Sequence, residues 1–300
     1  MQLIYNYSTN LMVIDTHCHL NFKAFEKDAD QVIQRTLAEN VWMINVGSQL
    51  ETSKKAVELA EKYPQGVFAS VGLYPLHVPG VADLIKGKLD PEEAAAQETV
   101  GEFNVDDYKK LALSPEGLRV VAIGEIGLDY YWRPKSKTKL EIFKNLQKEA
   151  LLLQMDLADE LNLPVIFHCR VAHNDLLDIL NNRNNLHGVI HSFTGTIEQM
   201  RQYLDTGLYL GFNGIIFKQI PGIDWQEIIK AAPLDRILVE TDAPYLIPLP
   251  AVALAKEGAA LRNEPVFVQE VVREIAKIRK LSYQEVLEIT TKNAKSLFNI

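Results

Sequence analysis

Eight short apolar runs punctuate the chain, and between several of them the apolar residues switch from strand spacing to helical spacing. The runs are MVID (12–15), VWMINVG (41–47), VFASVG (67–72), VVAIGE (120–125), PVIFH (164–168), GVIHS (188–192), LYLGFN (208–213) and RILVET (236–241). The stretches DADQVIQRTLAEN, ETSKKAVELAEKY and KLEIFKNLQKEALLLQMDLADELN, after the first, second and fourth runs, carry the three-to-four spacing of amphipathic helices. Ser48 and Thr196 stand where helix N-caps are expected. Runs that are β-branched and apolar on both faces suit a parallel sheet covered by helices. Strand and helix alternating eight times predict an α/β fold, a (β/α)8 TIM barrel. The nearest alternative is an open doubly wound sheet.

Two regions depart from the repeat. Residues 80–119, containing LDPEEAAAQETVGEFNVDD, form an acidic insertion after the third strand, expected to carry short helices of its own and to act as a lid or as decoration. At the other end, EPVFVQEVVREIAKIRK and SYQEVLEITTKNAKSLFNI read as two closing helices. The expected division is an N-terminal extension, 1–11, followed by one barrel over 12–300. Two distant cysteines, Cys18 and Cys169, make no disulfide framework and are expected as small buried fillers in a reducing compartment. With no signal peptide and no membrane-length apolar run, the expected location is the cytoplasm. A net charge of −8 argues against a protein that coats nucleic acid through a general basic field, but not against local grip by cations and a few basic side chains. No obligate protein partner is evident.

The chemistry-bearing residues sit at the ends of the apolar runs. In a strand, side chains two apart share a face, so His17 and His19 of DTHCHL point together and Cys18 points away. Glu125 ends the fourth run, His168 the fifth and His191 the sixth, while Glu240 and Asp242 follow the eighth. In a barrel those ends meet at one mouth. A structural zinc site needs four ligands, and here His17, His19, Glu125, His168, His191 and Asp242 offer six. Two divalent ions bridged by a carboxylate and a water would use them all, and that arrangement activates a hydrolytic nucleophile. The bland alternative is a set of histidines satisfied inside the barrel. His/Asp/Glu ligands suit zinc and manganese and, less comfortably, magnesium.

DTHCHL, VGLYP, IGEIGLDYYW, PVIFHCR, VIHSFTG, YLGFNG and LVETDAPYLIP, in that order, resemble the TatD family of metal-dependent deoxyribonucleases in the amidohydrolase superfamily. The resemblance covers nearly the whole chain. It implies one or two divalent ions and hydrolysis of phosphodiester bonds in DNA, often as a 3′ to 5′ exonuclease on single strands or 3′ ends. It also implies a ligand set in which His17, His19, Asp242 and Glu125 hold one ion, and Glu125 bridges to a second held by His168 and His191. Glu125 stands where many relatives in the superfamily carry a carbamylated lysine, a difference that favours the nuclease branch. Some members are credited with hydrolysing the ester of D-aminoacyl-tRNA, so charged tRNA is an alternative substrate. A small-molecule amidohydrolase or lactonase on the same scaffold is another.

On this reading Asp242 is the candidate general base. Glu240 either orients a ligand histidine or is a buried salt-bridge partner. LDYYWRPKSKTK (128–139) interleaves Tyr130, Tyr131 and Trp132 with Arg133, Lys135, Lys137 and Lys139, the mixture a single strand needs for stacking and phosphate contact. The alternative is an apolar plug before a solvated helix. Trp132, Arg133, Arg170 and His77 are the candidate substrate contacts, though Tyr74 fills a position where the family often has histidine and Val171 one where it often has an acid. His173 and His187 read as ordinary helix and loop residues.

Overall fold

The computed structural model describes residues 12–85, 103–183, 186–248 and 262–300. The expected extension at 1–11 lies outside the described residues, as do residues 86–102 of the acidic insertion. Eight strands, β1 (Val13–Cys18), β2 (Val41–Val46), β3 (Val67–Val71), β4 (Val120–Asp129), β5 (Val165–Arg170), β6 (Gly188–Ile190), β7 (Tyr209–Phe212) and β8 (Ile237–Val239), lie parallel and side by side in chain order. Beyond β8 the chain bridges back to β1: Asp242 N donates to His17 O at 2.8 Å and His19 N to Ala243 O at 2.7 Å. Those bonds close the sheet near its mouth, giving a (β/α)8 barrel rather than an open sheet.

The helices among the described residues are α1 (Ala29–Ala38), α2 (Leu50–Lys62), α3 (Val81–Ile85), α4 (Val105–Leu113), α5 (Lys137–Leu161), α6 (His173–Leu180), α7 (Ile197–Asp205), α8 (Trp225–Ala231), α9 (Val268–Arg279) and α10 (Tyr283–Phe298). Thr196 caps α7 as expected, its side chain accepting from Gln199 N at 3.2 Å. Ser48 does not cap α2. The N-cap is Gln49, because Thr52 Oγ1 supplies the oxygen that accepts from the backbone N–H groups of Ser48 (2.9 Å) and Gln49 (3.0 Å). The described ends of the insertion are helical, and α4 packs along α2 and α5 on the outer ring.

Apolar side chains form two layers. Val13, Met43, Val71, Phe167, Ile190 and Ile237 pack outward under the helices, while Ile14, Ile44, Ala122, Ile166, Val189 and Leu238 fill the barrel interior. Ala294, Leu297 and Phe298 of α10 join the interior group. Thr291 Oγ1 donates to Met12 O at 2.7 Å and Asn293 Nδ2 to Ile237 O at 2.8 Å, so α10 covers the end where β1 and β8 begin. The opposite, C-terminal end is left for side chains with other work.

Strand pairing shifts at three places: one lies between β3 and β4, where Ala69 pairs with Val120 but Ser70 with Ala122, and the other two position the mouth. In β1 the pairing with β2 shifts between Asp15 and Cys18, so Val13 and Cys18, of opposite parity, both pack in the outer layer. In β4 the pairing with β5 shifts between Gly124 and Ile126, and Ile123 and Ile126 are both outer. An extra residue rotates the remainder of the strand, as a β-bulge does. Glu125 therefore does not end its strand as expected. It sits at the bulge, and β4 runs on to Asp129 because Ile126–Asp129 keep pairing with Phe167–Arg170.

Candidate metal centre

His17, His19, Glu125, His168, His191 and Asp242 converge at the C-terminal mouth. His17 Nε2 lies 3.1 Å from His19 Nε2, and both face Asp242 Oδ1, at 3.8 and 3.4 Å. Glu125 occupies the middle with its two oxygens divided: Oε1 is 3.9 Å from His17 Nε2 and 3.6 Å from His19 Nε2, while Oε2 is 3.2 Å from His168 Nδ1 and 3.5 Å from His191 Nε2. Two groups are compact enough to share an ion, His17 with His19 and Asp242, and His17 with Glu125 and His191. His168 joins through its contact with Glu125.

The outward nitrogens of the histidines fix which nitrogen faces inward. His19 Nδ1 stands 2.8 Å from Val46 O, and a carbonyl only accepts, so Nδ1 carries the proton and Nε2 presents a lone pair. His191 Nδ1 faces Glu240 Oε1 at 3.2 Å, again leaving Nε2 for the centre. His168 is turned the other way: its Nε2 faces Asp129 Oδ2 at 3.2 Å, so its Nδ1 lone pair points at the Glu125 carboxylate. Lone pairs and carboxylate oxygens aimed at one another repel unless a cation lies between them. Buried His17 Nδ1, His168 Nδ1 and Glu240 Oε2 also lack hydrogen-bond partners among the described residues. This donor set fits divalent cations, with outer partners that orient imidazole ligands.

Electrostatics agree. Without a cation between them the rings would take up protons instead: burial alone would raise the Glu125 carboxyl, but a His168 ring protonated also at Nδ1 and the fields of His191, His168 and His19 outweigh it and bring it down to about 2. Burial holds His17 well below the usual imidazole range, reinforced by its three neighbouring histidines. Burial would also lower His191, yet Glu240, Asp242 and Glu125 carry it up to about 9. His168 is raised against its burial by Asp129 and Glu125. The carboxylates thus draw positive charge into a buried site, which is what a bound cation provides.

Several supporting residues escape a reading of the sequence. Asp129 orients His168 and takes hydrogen bonds from Tyr74 OH (2.9 Å) and Tyr131 N (2.8 Å). It lies within LDYYW, beyond the fourth apolar run, where the sequence points to substrate contacts rather than to a partner for His168. Asp15, fully buried, accepts from Thr241 N at 2.8 Å and from His17 N at 3.2 Å, tying β1 to the turn that carries Asp242. Glu240 accepts from Ser192 N at 2.6 Å and sits where a Cβ on Gly211 would meet its Oε2 at 2.4 Å, so only glycine leaves room. Gln147 and Gln154, seven apart on α5, bond both ways to the backbone of Asp129 and of Leu73. Glutamines on an amphipathic helix give no sign of this beyond their place on its buried face.

The candidate substrate contacts are distributed unevenly. His77 is buried, its Nδ1 3.1 Å from Ser48 O. Tyr74 OH is 3.5 Å from His168 Nε2. Tyr130 is packed in the core with its OH on Asp175, so burial removes it from the expected stacking surface. Trp132 is partly buried and edge-on to Tyr131 at 4.8 Å, and the Arg170 guanidinium lies 3.9 Å over the Tyr131 ring. Arg133 reaches Tyr130 O at 3.4 Å and lines a groove beside Tyr131. His173 is more than a plain helix residue: its Nδ1 is 3.0 Å from Tyr203 OH and 3.3 Å from Cys169 Sγ in a buried knot. Cys18 and Cys169 are both buried.

A parallel eight-stranded barrel whose mouth gathers four histidines around a dividing carboxylate has the architecture of a metal-dependent hydrolase. The chain belongs to the TatD-related DNase family, whose model matches residues 14–299. It is 35% identical to the uncharacterised metal-dependent hydrolase YabD of Bacillus subtilis over 96% of this chain and 100% of that protein. It is 33% identical to the 3′-5′ ssDNA/RNA exonuclease TatD of Citrobacter rodentium, over 96% of this chain and 98% of that one. Among solved structures, the TatD homologue YJJV of Escherichia coli superposes with a TM-score of 0.75 at 26% identity, covering 97% of this chain and all of that one. Among the described residues no helix is long and apolar enough to cross a membrane.

Proposed function

We propose that the chain is a divalent-cation-dependent nuclease that removes nucleotides from the 3′ end of single-stranded DNA. The observation that carries the hydrolytic part is the division of Glu125, one oxygen toward each histidine pair. Nucleic acid as substrate is supported by relatives named ssDNA/RNA exonucleases and by the aromatic and basic segment beside the mouth. His17, His19 and Asp242 would hold one cation, and His168 and His191 a second, with Glu125 between them. Zinc or manganese suits these donors better than magnesium. Such ions, when bound, lower the pKa of water and offset charge on phosphoryl oxygens.

The protein's own groups supply the rest. Asp242 has the most exposed side chain of the six, 15%, and its carboxylate would take the proton from an attacking water. Glu125 stays ionised and keeps the two histidine pairs apart. Asp129 and Glu240 fix the imidazoles of His168 and His191. Arg170, two residues beyond His168 on the same strand, offers its guanidinium to a phosphate.

The test is metal-reconstituted protein against labelled single-stranded DNA, duplex DNA, RNA and charged tRNA, with a chelator control. Single strands should shorten stepwise from the 3′ end and stop doing so in chelator. Glu125→Ala should lose more than about 100-fold in rate, beyond the range for residues that only orient a ligand, together with bound metal measured by elemental analysis. Full activity in that variant would refute the site. Release of a D-amino acid from tRNA without chain shortening, or turnover restricted to small esters, would replace the nuclease reading.

A further inference from the structure

Beside the mouth runs a groove of about 610 Å³ lined by Tyr131, Arg133, Pro134, Lys135, Leu140 and Val171. We propose that it is a subsite for one unpaired nucleotide next to the scissile phosphate, with Tyr131 as the stacking surface. The inference rests on the nucleic-acid reading above and adds where the strand lies.

Of the three consecutive aromatics, only Tyr131 is open to a base. It is 51% exposed, whereas Tyr130 is 3% exposed and Trp132 is partly buried in the core. Its ring is already set in place, under the Arg170 guanidinium at 3.9 Å and edge-to-face with Trp132 at 4.8 Å. An aromatic held this way loses little freedom when a base stacks on it. Pro134, Leu140 and Val171 give the groove apolar walls, and Val171 stands 54% exposed at a φ of 59°, a conformation β-branched residues rarely adopt. Arg133 and Lys135 add positive charge for a phosphate.

Position ties the groove to the centre. Arg170 shares a strand face with His168, about 7 Å along β5 by strand rise, and covers the tyrosine that lines the groove. Arg170 and Tyr131 thus lead from the strand that carries His168 to the groove. The volume falls in the range of small-ligand sites. A base can enter only if it is unpaired, because its face must leave the helical stack. Single strands should thus bind better than duplexes, with little preference among bases, since every base offers a stacking face.

Binding of a fluorescent hexanucleotide, followed by anisotropy in chelator, reads the groove without turnover. Tyr131→Ala should weaken it roughly 5- to 150-fold, the range for loss of one stacked base, and Tyr131→Phe should restore it. Hydrolysis supplies the second readout: the wild-type preference for a hexanucleotide over a dinucleotide should collapse in Tyr131→Ala with a rise in KM. If the wild type shortens single strands but Tyr131→Ala binds them equally and keeps the length preference, the subsite is refuted and the nuclease reading stands. If the hexanucleotide binds through Tyr131 but no strand is ever cut, the nuclease reading fails and the subsite stands. Duplex bound as tightly as single strand would also overturn the subsite.

Discussion

Asp129 has one oxygen on Tyr131 N and the other on His168 Nε2, with Tyr74 OH sharing the second. In Asp129→Asn the amide oxygen can still accept from Tyr131, but the NH2 then confronts the Nε2 proton of His168. The imidazole must change tautomer or turn, and either removes the lone pair from the centre. Cation affinity should fall about 10- to 100-fold, as measured by calorimetric titration, with the melting curve little changed because Gln147 still holds the Asp129 backbone. Unaltered affinity would reduce Asp129 to a structural role. The convergence of His17, His19, His168 and His191 is legible in the sequence because each follows or ends an apolar run. Asp129 and Asp15 are not, since their roles depend on partners at Tyr74, His168 and Thr241 that only the closed barrel brings near.

Elements divide the labour between the two ends of the barrel. Helix α10 closes the end where strands begin, and Phe298 and Leu297 fill the interior under Ile14 and Leu238. Phe298→Ala should cost about 3–5 kcal/mol, seen as a lower denaturant midpoint with the same slope. A cost under about 1 kcal/mol would mean that neighbouring side chains collapse into the space. The closing role of the two C-terminal helices can be read from their apolar spacing. The bulges in β1 and β4 cannot, because one extra residue in a strand looks like a lapse in alternation, and for that reason Glu125 reads as a strand end. Their effect is to bring Ile14 and His17, or Ala122 and Glu125, to the interior on both sides of a shift. One strand thus supplies packing at its base and polar groups at its mouth.

For the whole molecule, net charge and local charge act in opposition. An excess of eight negative charges repels a polyanion at long range, so attraction depends on the few cations at the groove. If Arg133, Lys135 and Arg170 meet two or three phosphates, the logarithm of single-strand affinity should fall with the logarithm of salt at a slope near about −2. An anisotropy series in potassium chloride measures it, and a slope of about −5 would mean a far wider contact. The seam that closes the barrel has a consequence for assembly. His17 and His19 come from the first strand and Asp242 from the turn after the last, and the bonds between Asp242 N and His17 O and between His19 N and Ala243 O join them. More than two hundred residues separate these partners in the chain. The His17–His19–Asp242 group is therefore among the most non-local contacts in the fold, the kind whose loop-closure entropy must be met before the contact is rewarded. On the proposed function, a chain whose first strand has not met the turn after its last lacks this group, so metal-dependent hydrolysis should appear only once the barrel has closed.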